Sequence, residues 1–208
     1  MSDRQFLDAY YKKFEEHLMS VDVHAQLIAL KDLILSSQVL GKKMIIAGNG
    51  GSAAIASHCA IDFTKAAGMR CVSFNESSLI TCFANDYGYE HWLEKALEFY
   101  ADDGDLVVLI SSSGRSMNMV RAADYTTQRG LTLVTFTGFS ASNPLRSRGD
   151  INLWLKSRSY NHIETFHQLW LLSVCDLIVE MRQPKPLTKK SLSRPTLRTI
   201  TLPVDSAA

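Results

Sequence analysis

The sequence predicts an α/β fold: a three-layer α/β/α sandwich on a five-stranded parallel sheet, with a helical extension at its N-terminus. Three observations carry this. Five short runs are continuously apolar rather than alternating, which is the pattern of strands covered on both faces. The segments between them have helical period, so strands and helices alternate along the chain. Two strand-to-helix junctions are unusually rich in glycine and hydroxyl residues, and in a doubly wound sheet ligands bind at that edge.

The first helix is expected over Asp3–Val21, where Phe6, Leu7, Tyr10, Tyr11, Phe14 and Leu18 recur at helical spacing. A second should span Val23–Leu40, with Leu27, Leu30, Ile34 and Leu35 on one face and Gly41 at its end. The strands read as Lys42–Ala47, Cys71–Phe74, Leu106–Ile110, Thr132–Phe136 and Ile151–Leu155. A last helix, about Asn161–Met181, is apolar around most of its girth. Part of its burial is therefore expected from another subunit. After Arg182 prolines and scattered basic residues replace the periodic pattern, so residues 1–182 form one domain and 183–208 an extended or mobile tail.

Composition narrows the partners. With 22 Lys and Arg against 21 Asp and Glu the net charge is +1, which gives no whole-chain reason to bind nucleic acid or an anionic membrane. No apolar run nears the ~18 residues of a membrane span, and the charged N-terminus lacks a signal-peptide core. The four cysteines, Cys59, Cys71, Cys82 and Cys175, show no CxxC and read as reduced buried thiols, so a cytoplasmic location is expected. His17, His24, His91 and His162 read as surface or helix-end residues, and Trp92, Trp154 and Trp170 as core or interface residues.

The two special junctions are Gly48-Asn49-Gly50-Gly51-Ser52 and Ser111-Ser112-Ser113-Gly114-Arg115-Ser116. Hydroxyls and a glycine at a helix N-terminus combine free backbone N–H groups, the positive end of the helix dipole and O–H donors. That set suits a phosphate without lysine. A helix cap needs one serine, and four hydroxyls around one glycine exceed that need. Neither loop is a Walker A, and the third glycine of GNGGS is misplaced for GxGxxG. A phosphorylated small molecule fits better than a nucleotide cofactor.

The GNGGS turn, the following helix with His58 and Asp62, the stretch Ala84–Gly88 (ANDYG) and the SSSGRS loop, in this order, resemble the sugar isomerase (SIS) domain. The resemblance covers about Leu7–Val179 and is greatest to the phosphoheptose isomerase branch. It implies flavodoxin-like subunits in a homotetramer with shared active sites. It also implies interconversion of sedoheptulose 7-phosphate and a heptose 7-phosphate for the heptose of surface polysaccharides, such as lipopolysaccharide or capsule.

By the same resemblance Ser111, Ser112, Ser113 and Ser116 hold the sugar phosphate, with Arg115 where the family usually has asparagine. Asn49, Gly50, Gly51 and Ser52 line the sugar, and Asp86 binds its hydroxyls. His58 and Asp62, four apart, share one helix face; they match a family His and Glu, the Glu being an acid/base, and both sometimes bind zinc. Glu164 stands at a family glutamine that can also ligate zinc, and His167 at a position often His. The family's second catalytic histidine falls at Leu172, which cannot move a proton.

Two readings follow. In one, Glu164, His167 and Asp62 carry an aldose–ketose isomerisation that requires no cofactor, while His58, Asp62 and Glu164 are able to hold a divalent metal such as zinc. In the other, the chain binds a phosphosugar without turning it over, as does the SIS relative that associates with the bacterial replication initiator. Convergence of Glu164 and His167 with His58 and Asp62 around one cavity beside Ser111–Ser116 is the expectation that separates them.

Overall fold

The computed structural model describes residues 1–182; the expected tail at 183–208 lies outside the described residues. Twelve elements follow in order among them: α1 (Asp3–Ser20), α2 (His24–Val39), β1 (Met44–Gly48), α3 (Gly51–Lys65), β2 (Cys71–Ser73), α4 (Ser77–Tyr87), α5 (Trp92–Tyr100), β3 (Leu106–Ser111), α6 (Met117–Gln128), β4 (Thr132–Thr137), β5 (Ile151–Trp154) and α7 (Tyr160–Arg182). The five strands form one parallel sheet in the order β2-β1-β3-β4-β5. Each expected strand is present, with ends moved by one or two residues.

Why these runs become central strands is visible in their burial. All five residues of β1 and all six of β3 are buried. Because side chains alternate across a strand, Met44, Ile46, Leu106 and Val108 enter one core with α2, α3 and α7. Ile45, Ala47, Val107 and Leu109 enter the other with α5 and α6. The sheet is thus sealed on both faces, as continuous apolar runs require.

The order β2-β1-β3 reverses the direction of chain progress at β1, so the carboxyl ends of β1 and β3 open side by side. Gly48 pairs with Ile110 there. The two glycine- and serine-rich loops therefore sit next to each other, followed by the N-termini of α3 and α6.

α1 lies largely outside the body. A Ser2–Gln5 capping box starts it, yet His17 is its one fully buried residue and Phe6, Leu7, Tyr11, Leu18 and Met19 are exposed. It is held by rings: Tyr10 and Phe14 meet His162 edge-on at 4.5 and 5.8 Å, and Phe14 meets Phe166 at 4.7 Å. Of the surface or helix-end reading of His17 and His162, the helix end holds and the surface does not. His17 and His162 are buried against each other at 5.6 Å between ring centroids. Cys82 is the other correction, since it faces outward from α4 while Cys59, Cys71 and Cys175 are buried.

Candidate active site

The first loop shapes its own chemistry. Gly50 takes φ +55°, a left-handed conformation that a Cβ disfavours, and this lets the chain leave β1 and enter α3 in one step. Gly51 is needed for a different reason. A Cβ there would fall 2.6 Å from Cδ of Glu164, so the carboxyl group of α7 occupies the space a side chain would fill. Asn75 clamps the loop from beside β2, its Nδ2 donating to the Gly48 carbonyl at 2.8 Å. Asn49 exchanges two amide hydrogen bonds of 2.9 Å with Asn118, buried in α6. Tyr89 donates to Asn49 Oδ1 at 3.2 Å.

The second loop keeps its hydroxyls in reserve. Ser116 occupies the N-cap of α6 but its side chain makes no capping bond, so capping does not explain it. Ser111 Oγ accepts from the Gly114 N–H at 3.2 Å and Ser113 Oγ from Arg115 N–H at 3.3 Å. Ser112 is buried, and its Oγ completes no hydrogen bond among the described residues. Leaving a hydroxyl buried and unmatched is costly, and an incoming anion would relieve it. Arg115 is exposed.

Glu164 stands between the two loops. It lines a small cavity of about 60 Å³ together with Asn49, Ser52, Ser111, Ser112 and Ser113. It also lines a wider one of about 520 Å³ shared with Gly51, His58, Asn161 and Gln168. Partial burial pushes its carboxyl above the ordinary glutamate value, against a smaller opposing pull from the nearby Ser112 hydroxyl, which lies outside normal hydrogen-bond geometry. The result is a carboxyl held above its ordinary pKa in the same small cavity as the serine loop.

His58 is held at both ring nitrogens. Nε2 lies 3.1 Å from Asp62 Oδ2, and Nδ1 lies 3.0 Å from Gln168 Nε2. A carboxylate accepts only, so Nε2 carries the proton and Nδ1 accepts from the Gln168 amide. Gln168 is one helical turn beyond Glu164 and was identifiable by that spacing alone. Asn118 was not, because its pairing with Asn49 spans two loops.

Three expectations need correction. His167 does not reach either cavity: it is fully buried, bonds the Thr137 carbonyl through Nε2 at 3.1 Å, and lies against Phe136 and Trp170. Three residues along a helix leave the two side chains about 60° apart, and that offset puts His167 in the core while Glu164 faces the loops. Asp86 is exposed on α4, bonded to its neighbour Asn85 rather than lining these cavities. Nor do His58, Asp62 and Glu164 form a ligand set. Among the described residues no three His, Cys, Asp or Glu side chains stand close enough to hold a metal, because His58 is committed to Asp62 and Gln168 while Glu164 faces Ser112. Leu172 is partly buried and packs on the core.

Comparison with known proteins agrees with this architecture. A family model described as the SIS domain matches residues 9–138. A phosphoheptose isomerase of Campylobacter concisus is 30% identical over 185 residues, 84% of this chain and 93% of the relative. Another from Thermodesulfovibrio yellowstonii is 31% identical over 169 residues, covering 78% and 84%. The solved phosphoheptose isomerase of Neisseria gonorrhoeae superposes with a TM-score of 0.80 at 25% identity, covering 86% of this chain and all of that one. Sequence and fold together place the chain in the SIS domain family, within its phosphoheptose isomerase branch.

Proposed function

We propose that the protein is a sugar-phosphate isomerase that interconverts an aldose and a ketose, with a seven-carbon sugar phosphate of the sedoheptulose 7-phosphate type as substrate. The observation that carries this reading is the position of Glu164, a carboxyl with a raised pKa wedged between the Gly51 turn and Ser112. The relatives named phosphoheptose isomerase, 30–31% identical across most of the chain, support the substrate class.

In this reading the phosphate rests on Ser111, Ser112, Ser113 and Ser116 at the α6 N-terminus, where N–H groups and hydroxyls meet its charge without lysine. The sugar then extends along Asn49–Ser52 past Glu164. Glu164 removes the proton from the carbon beside the carbonyl, and the oxygens carry a cis-enediol. The same carboxyl returns the proton to the neighbouring carbon. One positioned carboxyl typically contributes 10²–10⁴-fold to such a transfer. His58, held by Asp62 and Gln168, forms part of the wall of the wider cavity along which the sugar would lie. Assembly as a homotetramer with shared sites fits the exposed apolar side of α1, and the heptose product would serve surface-polysaccharide synthesis.

A non-catalytic phosphosugar-binding role is favoured by Leu172 alone, since no titratable group stands at that position. Nuclear magnetic resonance of sedoheptulose 7-phosphate with the protein in deuterated water decides between them. Deuterium entering at the carbon beside the carbonyl, with new aldose signals, is the isomerase result. Bound but unexchanged sugar is the binder's, and a chelator arm reads any metal requirement.

A further inference from the structure

A cavity of about 930 Å³, wider than either of the two that Glu164 lines, lies elsewhere among the described residues. It lies between α1 and the two loops that follow β4 and β5. Its wall combines Tyr10 and Phe139 with Lys13, Lys156 and Arg158, and no Asp or Glu lines it. None of these three cations has an ion-pair partner among the described residues. At its base lies His162, only 4% exposed, with both ring nitrogens unpartnered among the described residues. Buried polar atoms normally find partners, so this cleft has cationic and hydrogen-bonding capacity that the protein does not itself use.

The cleft is also next to the sugar site. Phe139 and Tyr160 pack edge-on at 4.8 Å, and they form the partition: Phe139 faces the cleft while Tyr160 lines the small cavity beside Ser112 and Glu164. Phe139 holds φ +50°, uncommon for a bulky residue, and its N–H donates to the Ser157 carbonyl at 3.0 Å. Such strain is maintained only where the surroundings fix it.

We propose that this cleft is a second binding site, for a nucleotide: a planar apolar body packing on Tyr10 and Phe139, with phosphates held by Lys13, Lys156 and Arg158. Aromatic side chains receive a flat base, Lys and Arg make strong charge-assisted hydrogen bonds to phosphate oxygens, and the volume is that of a site for a molecule of this size. The proposal is independent of the isomerase reading, because binding is measured directly.

Isothermal titration of ADP into the full chain tests it, with adenosine and inorganic phosphate as separate titrants. ADP is expected to bind with a Kd below about 1 mM, and each half-ligand, titrated into Ser112→Ala to silence the serine loop, at least about tenfold more weakly. The double variant Lys156→Glu/Arg158→Glu, both positions exposed, should weaken ADP by about tenfold or more, and Tyr10→Ala should weaken it as well. Ser112→Ala should leave it within about twofold. No ADP binding up to about 1 mM, or inorganic phosphate binding to the Ser112→Ala variant as well as ADP does, overturns the proposal. It is overturned equally if Ser112→Ala costs as much as the charge reversal, since ADP would then occupy the serine loop.

Discussion

The carboxyl of Glu164 occupies the volume that a Cβ on Gly51 would need, with its Cδ 2.6 Å from that point. A glycine in the first loop and an acid on the last helix, 113 positions apart by their numbers, are thus matched in shape. Gly51→Ala should displace the carboxyl by about an ångström or more, and misplacement on that scale costs roughly 10²-fold. Sugar-phosphate exchange assays should show kcat falling by that order. Glu164→Gln should remove exchange altogether while titration calorimetry still detects sugar-phosphate binding.

The raised pKa of Glu164 gives a pH signature. As a base it must be ionised, so kcat/KM should fall as pH drops through a value above the ordinary glutamate range. Stability runs the other way. The unfolded chain ionises this group first, so folding loses stability as pH rises from the ordinary value to the folded one, and stays lower above it. Thermal melts of Glu164→Gln at pH 7 should therefore lie above the parent's.

His167 makes the opposite prediction. Burial lowers its pKa from 6.5 to about 4 despite its bond to Thr137. The unfolded chain binds the proton first, so stability is full above pH 6.5 and declines as pH falls toward 4, by about 3 kcal/mol for this residue. Urea unfolding across that window should show the slope. His167→Gln, which can still donate to the Thr137 carbonyl, should reduce it while leaving the pH profile of any sugar exchange unchanged.

Gln168 and Asp62 should act through His58. Gln168→Leu removes the donor to Nδ1, and the ring then loses one of its two fixed contacts. Nitrogen chemical shifts of His58 should move toward a mixture of tautomers, with kcat down by about tenfold, an effect of the size seen when a support of a functional histidine is lost. A purely structural role for Gln168 would lower the melting temperature and leave the tautomer unchanged.

The outer face of α1 exposes Leu7, Tyr11, Leu18 and Met19, while Phe6 turns to the cleft. Exposed apolar patches of this kind mark contact surfaces. Analytical ultracentrifugation should give a tetramer for the parent chain, and Leu7→Glu/Leu18→Glu should shift it to smaller species.

The sequence by itself determined the five strands, the long helices and the two loops, because continuous apolar runs and helical periods are local signals that burial enforces. It also marked Glu164, His58 and the serines as residues of interest. Which of them meet was a matter of tertiary structure. His167 and Glu164 look equivalent in sequence, yet the turn of α7 sends one into the core beneath Thr137 and the other to the loops. His17 and His162 look like surface residues until α1 folds back over α7. Asn118, Gln168 and the cleft behind Phe139 depend on contacts between distant segments. The sheet order that brings β1 and β3 edge to edge creates those contacts, and no short stretch of sequence encodes it.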